Sequence, residues 1–558
     1  MKQELEQVVA DVVRELYGAD VTIELTRPDE QYGDFATNVA LQLSKQLGKN
    51  PREIGEALVG SLAGRSTDVS EITIAGPGFV NIRLTDAALQ RALTNKPEQS
   101  MAGRMVLVEY SDPNPFKPLH AGHLYTTLVG DTIARLVEHA GAETIRINFG
   151  GDVGMHVAKS MWAIMRTLGG ENPDGLVDIT EDERPKWLGD RYVEGNNAYE
   201  DDEAAKTEIT AINKRVYALQ AQNDHDSDFA KIYWTCREWS YTYFATLYEQ
   251  LQVTPFTRYI PESEVTPLGL ETVREQLARG VYEESDGAVV FRGDDQGLHT
   301  RVFINSEGLP TYEAKDVGLS MTKWRDYHFD ESIIITANEQ SQYMQVVLAS
   351  IAKFAPEAAE RTKHLTHGVV KLQGGVKMSS RKGNIITALD ILEAARVAGQ
   401  ASGNNPNEDT ILAAVKYAFA RNRIGGDIVY DPFESIALEG NSGPYLQYAH
   451  ARARSIIGKA AGRSTAESAT GDLQPDERTL VRKLTEYADA VNKATVELMP
   501  HHICTFLYEL AQEFNRFYEK NRVIGDGREA LRLKLVEMYA DTLKSGLTLL
   551  GIHAPDRM

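Results

Sequence analysis

Two short segments of this 558-residue chain concentrate groups that can do chemistry. The first is Pro118-Leu119-His120-Ala121-Gly122-His123. It follows the apolar run Met105-Val106-Leu107-Val108-Glu109-Tyr110, which reads as a buried strand. It opens residues 120–140, where Leu124, Leu128, Ile133, Leu136, Val137 and Ala140 form one helical stripe closed by Gly141. Imidazoles three apart share a helix face. A helix N-terminus presents unpaired N–H groups and the positive end of the macrodipole, so it favours anions. Gly122 puts no side chain on the first turn and lets a bulky ligand approach the backbone. The combination describes a site for a nucleotide and its phosphates. An isolated His-x-x-His is more often a pair of surface histidines, and metal binding is disfavoured because no third ligand is close by in sequence.

The second segment is Gly374-Gly375-Val376-Lys377-Met378-Ser379-Ser380-Arg381-Lys382-Gly383-Asn384. Cations and hydroxyls on a Gly-flanked loop can clamp a polyphosphate that gains charge as it leaves. The bland alternative is a solvated basic turn. In a chain of net charge −21, a concentrated cationic loop is less easily dismissed as decoration.

Elements that position these segments are readable around them. Strand, helix, and a further strand at 144–149 make a βαβ unit, the seed of a doubly wound parallel sheet. Further strands are expected at 300–304, 331–336 and 368–372. Residues 160–295 are acidic and mostly helical, with a hairpin at 280–292, and read as an insertion. Residues 1–98 form an α+β unit, with helices at 5–17, 36–47 and 51–62, a strand at 21–25 and a strand pair around a turn at 72–82. After residue 431 the pattern is helical, at 443–461, 475–498, 501–522 and 528–551. The expected division is therefore 1–98, 99–430 and 431–558. The net charge argues against a non-specific coat for nucleic acid, although residues 441–558 are nearly neutral, with 16 basic against 15 acidic side chains. No run of roughly 18 apolar residues is present, and the acid-bearing N-terminus is no signal peptide. Two cysteines, Cys236 and Cys504, exclude a disulfide framework and a cysteine-built zinc site and suit a reducing cytoplasm.

In this order and on these elements, the two segments resemble the HIGH and KMSKS signatures of class I aminoacyl-tRNA synthetases. The likeness extends to the arginyl-tRNA synthetases. Glu109-Tyr110-Ser111-Asp112-Pro113-Asn114 with Lys117-Pro118-Leu119-His120 is similar to that family's approach to HIGH. Tyr312-Glu313-Ala314-Lys315-Asp316 is similar to its Tyr-x-x-[Arg/Lys]-Asp motif. Gly33-Asp34-Phe35-Ala36-Thr37-Asn38 and Gly76-Pro77-Gly78-Phe79 resemble its N-terminal domain. The run from Glu439 through Pro444-Tyr445-Leu446-Gln447-Tyr448 to Arg452, and the end of the chain from Gly546, resemble its anticodon-binding bundle.

The resemblance implies a Rossmann-like catalytic domain with an insertion, an N-terminal α+β domain touching the tRNA elbow, and a C-terminal all-α anticodon-binding bundle. It implies an arginine–tRNA ligase that makes arginyl-adenylate from ATP before transferring arginine to tRNA(Arg), with Mg²⁺ as cofactor and with tRNA required for activation. His120, His123, Lys377 and Lys382 would be catalytic. ATP would meet Gly122, both histidines, Lys377, Met378, Ser379, Ser380 and Arg381. Arginine would meet Asn114, Glu262, Tyr312, Asp316 and Gln340. Carboxylates suit a guanidinium, a planar, permanently charged cation with five donors. Candidate tRNA contacts are Phe35, Asn38, Tyr445, Tyr448 and Arg452, with Phe514, Phe517 and Tyr518 as further aromatics that could equally be core. A cytoplasmic monomer without membrane association is expected. Three positions depart from the family pattern: Ser380 replaces the second KMSKS lysine, His156 stands where glutamine is usual, and Tyr343 where histidine is usual. The rival readings are a class I synthetase for another amino acid, a non-catalytic tRNA-binding paralogue, and a small nucleotidyltransferase. The Tyr312/Asp316 motif, the retained histidines and basic loop, and the helical tail argue against them in turn.

Overall fold

The computed structural model describes residues 2–373, 386–403, 405–460 and 471–558. The N-terminal unit carries β1 (Phe35–Thr37), β2 (Val69–Ala75) and β3 (Phe79–Leu84) in the antiparallel order β1-β3-β2. Helices Lys2–Tyr17, Val39–Leu47 and Pro51–Leu62 cover it. Pro51 sits in the first turn, and Asn50 accepts from the Arg52 N–H, a cap that fixes the start. The strand expected at 21–25 does not form. The Leu25 N–H is taken by Glu6 Oε1 instead of a neighbouring strand, and only Thr26 bridges Ala36.

The central sheet contains β4 (Met105–Glu109), β5 (Glu143–Gly150) and β6 (Arg258–Pro261). A separate antiparallel sheet follows, with β7 (Glu283–Ser285), β8 (Ala288–Phe291) and β9 (Arg301–Ile304). The chain then returns to the central sheet through β10 (Glu331–Ala337) and β11 (Thr362–His367). The five strands lie in the order β11-β10-β4-β5-β6, all parallel. The chain turns to opposite sides after β4, so the switch point lies between β4 and β10, where ligands bind in doubly wound sheets.

Two expectations change. β6 belongs to the central sheet, so the inserted helices (Arg184–Asp201, Glu203–Gln222, Asp228–Gln250) end before Arg258 and not near 295. The strand expected at 300–304 exists as β9 but pairs with β8. The last sheet is a parallel pair, β12 (Val370–Leu372) with β13 (Ile428–Tyr430).

The C-terminal part is helical, with Gly443–Lys459, Pro475–Thr485, Tyr487–Glu497, His501–Lys520 and Glu529–Leu549. Its apolar core is continuous with that of the N-terminal unit, from Leu5 and Phe35 to Leu547 and Ala554. Between them Arg478 holds Asp34 at 2.7 Å.

Candidate active site

The loop from β4 to the next helix is unusually constrained. Ser111, Asp112 and Phe116 all take left-handed backbone, at φ of 76°, 47° and 69°, a cost of order 1–3 kcal/mol each for non-glycine residues that clusters at functional sites. Surrounding groups hold it there. Ser111 Oγ lies 2.7 Å from Tyr248 Oη and accepts from Thr127 Oγ1, Ser240 Oγ accepts from the Phe116 N–H, and Asp112 accepts from the Phe149 N–H.

At the end of this loop His120 caps helix Ala121–His139. Its Nδ1 accepts from the N–H groups of Gly122 (3.1 Å) and His123 (3.3 Å), while His123 Nδ1 accepts from the His120 N–H (3.4 Å). The rings stack with centroids 3.7 Å apart. A ring nitrogen that accepts carries no proton, so both imidazoles hold theirs on Nε2, where it can be donated to a ligand. Burial, with Lys117 close by, pushes His120 down to about 4 and holds His123 well below the ordinary histidine range. The pair is thus neutral at physiological pH.

The described chain resumes beside this turn. Ala121 N–H donates to Ile386 O (2.8 Å), Ala388 N–H donates to Leu119 O (2.9 Å), and Thr387 bridges His120 before capping helix Ala388–Ala401. On the other flank Gln373 N–H donates to Tyr430 O. Lys377, Met378, Ser379, Ser380, Arg381 and Lys382 lie outside the described residues.

Carboxylates gather beyond the carboxyl ends of β4, β5 and β6. Glu262, at the start of helix Glu262–Ala278, is buried and holds Lys315 Nζ at 2.5 Å. Asp316 follows Lys315 on helix Tyr312–Tyr327. Burial is the largest cause, with the charges of Glu109 and Glu262 adding, that keeps Asp316 well above the usual carboxylate range. Asp112 is raised for the same reasons, by burial first and then by Glu109. Lys323 neutralises Glu109 at 2.7 Å. Lysines pair with Glu262 and Glu109, whereas among the described residues no ion pair reaches Asp112 or Asp316, the electrostatic condition of a pocket that takes a cation from outside.

Asn114 closes one wall. A Cβ on Gly151 would lie 2.2 Å from Asn114 Oδ1, so any larger residue there would displace the Asn114 amide. Asp152, fully buried, accepts from the Ser263 N–H and hydroxyl and pairs with Arg237, tying β5, the helix bearing Glu262 and the inserted helices together. Tyr312 lies at the mouth, with Lys315 Nζ 4.8 Å from its ring. Gln340 is exposed on the turn after β10, on the same edge of the sheet. The structure therefore joins Glu262 and Asp316 in one electrostatic cluster, with Asn114 and Tyr312 around it. Residues that the sequence reading passed over are Lys315, Lys117, Asp112 and Tyr217. Lys315, Asp112 and Lys117 stood inside quoted motifs without being given a role, and Tyr217 gave no signal.

Among the tRNA candidates one must be corrected. Phe35 is 1% exposed, with the Arg27 guanidinium 4.1 Å from its ring, so its faces are taken by the core. Asn38 is exposed. Phe514 and Phe517 are likewise core, whereas Tyr448 is exposed, Tyr445 is half-buried, and Arg452 packs over Tyr518. Tyr343 is half-buried and packs against the core beside the β7–β9 sheet, with Arg301 over its ring.

The family model for the class I (R) tRNA synthetase catalytic domain matches residues 85–433, more than half of the chain. The chain belongs to the arginyl-tRNA synthetase family. Models for the arginyl-tRNA synthetase N-terminal domain and the DALR anticodon-binding domain match residues 1–84 and 446–558. Similar relatives include the arginine–tRNA ligases of Frankia casuarinae (31% identical, covering 98% of this chain and 96% of the relative) and of a Porphyromonas gingivalis strain (29%, 100% and 99%). The Thermus thermophilus arginyl-tRNA synthetase structure superposes with a TM-score of 0.80 at 27% identity over all of both chains. That of Plasmodium falciparum, at 19% identity, shows the same fold with a TM-score of 0.81. Membership of the arginyl-tRNA synthetase family makes the chain an ATP-dependent class I ligase.

Proposed function

We propose that the chain charges tRNA(Arg) with arginine in two steps at the switch point of the central sheet. The observation that carries this reading is a set of buried and half-buried acids short of cations beside two neutral imidazoles at a helix start. Arginine seats its guanidinium on Glu262 and Asp316, with Asn114, Tyr312 and Gln340 orienting the rest. An arginine carboxylate oxygen attacks the α-phosphate of ATP in line, forming the acyl-phosphate bond as the bond to pyrophosphate breaks. No protein nucleophile is needed, since positioning and charge stabilisation do the work. His120 and His123 donate from Nε2 to the phosphates above Gly122, and Lys377, Met378, Ser379, Ser380, Arg381 and Lys382 take up the departing pyrophosphate. A hydroxyl of the terminal tRNA ribose then attacks the activated carbonyl and AMP leaves.

Mg²⁺ belongs with the ATP phosphates, which it would neutralise. Among the described residues no three His, Cys, Asp or Glu side chains converge as ligands, so the residues present do not form a cage for it.

The functional division is 1–98 for the tRNA elbow, 99–430 for catalysis and 431–558 for the anticodon. Exposed Asn38 supports the first assignment, and Tyr445, Tyr448 and Arg452, on one helix, support the third. We place the chain as a monomer in the cytoplasm, the latter in keeping with two free, buried cysteines. Among the described residues no helix is long and apolar enough to cross a membrane. The test is arginine-dependent ATP–pyrophosphate exchange with and without tRNA, across all twenty amino acids. Exchange confined to arginine and to the tube with tRNA is expected, and equal rates without tRNA would refute the tRNA requirement.

A further inference from the structure

Glu262 is already occupied. Lys315, 3% exposed, donates to its carboxylate, and the two form a buried ion pair in the subsite read above as the guanidinium site. Lys315 holds Oε2, so a guanidinium can take both carboxylate oxygens of Glu262 only if this ammonium yields, and a buried ammonium can yield only to another acceptor.

One acceptor stands vacant nearby. His156 is nine-tenths buried, and its Nε2 donates to Gly151 O at 2.6 Å. That bond places the ring proton on Nε2 and leaves Nδ1 as a bare lone pair, which no protein group satisfies. A buried unpaired acceptor is a standing cost, and a structure tolerates it where something else fills it in another state. A Cβ on Gly154 would lie 3.6 Å from Lys315 Nζ, 3.8 Å from His156 Nδ1 and 3.8 Å from Tyr217 Oη. The lysine ammonium, the vacant nitrogen and the tyrosine hydroxyl therefore surround one bare glycine, and the four-carbon stem of Lys315 can carry its head from Glu262 toward the other two.

We propose that Lys315 is a tethered competitor for the acid that receives the substrate's guanidinium, and that arginine displaces its ammonium from Glu262 to the vacant Nδ1 of His156. This rests on the reading of Glu262 as a guanidinium ligand. It deepens that reading by supplying a source of selectivity. A free lysine offers Glu262 one ammonium in place of an identical one already held at high local concentration, and gains little by the exchange. Arginine offers a planar fork with two parallel donors and repays the displacement. The lysine at 315 and the histidine at 156 then act as specificity-determining residues without touching the reacting atoms.

The test is equilibrium dialysis of labelled arginine against the full-length chain, in a double-mutant cycle of His156→Phe and Lys315→Met, with unlabelled lysine as competitor. In the parent chain His156→Phe should weaken arginine about tenfold, equivalent to about 1.4 kcal/mol. In the Lys315→Met chain, which has no ammonium to rehouse, the same change should cost less than about twofold, and lysine should compete about tenfold better than against the parent. His156→Gln keeps an acceptor and should restore parental affinity to within about twofold, separating loss of the acceptor from damage to the fold. An equal effect of His156→Phe in both backgrounds, or unchanged lysine competition in Lys315→Met, overturns the proposal. Glu262→Gln is measured alongside. If it leaves arginine affinity unchanged, the fault lies in the assignment of Glu262 itself, whereas weakened binding without coupling between 156 and 315 sinks only the displacement.

Discussion

Asp316 is the most informative single residue. Its carboxyl is held well above the usual carboxylate range by burial and by the charges of neighbouring Glu109 and Glu262. A bound guanidinium opposes that shift and favours the ionised carboxylate. Arginine binding is therefore coupled to proton release, and affinity must weaken as pH falls. Calorimetric titrations in buffers of differing ionisation enthalpy should show net release, and Asp316→Asn should abolish it along with most of the affinity. The histidines set a second pH dependence. The folded state holds His120 at about 4 against an ordinary 6.5, so between those values it binds fewer protons than the unfolded chain. Stability is complete above about 6.5 and is lost as pH falls toward 4, with His156, pushed down to about 3, extending the loss. A melting-temperature series from pH 7 to 4 should decline through this window, and His120→Asn should flatten its upper part.

At the scale of elements, the pocket depends on two helices whose backbones touch. A Cβ on Gly269 would lie 2.1 Å from Ala314 O, and one on Gly318 would lie 2.3 Å from Val265 O. This crossing sets Glu262, on one helix, against Lys315 and Asp316, on the other. Gly318→Val should force the pair apart and raise the arginine KM by at least about tenfold while moving the ATP KM less than about twofold, because a small displacement of binding groups costs heavily in orientation. The sequence shows both glycines but not that they face each other. What was legible follows a rule: β4 and the helix after it announce themselves by an unbroken apolar run and a single apolar stripe. Edge strands β6 and β11 do not, because Arg258-Tyr259-Ile260-Pro261 and Thr362-Lys363-His364-Leu365-Thr366-His367 carry the polar groups that an open sheet margin tolerates. The site followed the same division. Histidines and acids within motifs were readable, whereas the Glu262–Lys315 pair and the burial of Phe35 depend on which side of an element faces which neighbour, and residue type alone does not fix that.

At the scale of the molecule, the first and last parts of the chain stabilise each other. Asp34 is fully buried, donated to by the Leu84 N–H and by Arg478 from the helical bundle, with Asp86 also on that guanidinium at 3.2 Å. Arg478→Ala leaves the carboxylate only the more distant Arg482, at 3.5 Å, and should cost about 3 kcal/mol, read as an early transition of the N-terminal unit in urea denaturation. The shared core carries a kinetic consequence as well. A nascent chain emerging from the ribosome makes Leu5, Val9 and Phe35 hundreds of residues before Leu507, Leu543 and Leu547 exist to cover them. During that interval the leading unit travels with an apolar face open and a buried acid unanswered, so translation speed and chaperone supply bear on this protein's yield through its earliest residues, well away from any ligand.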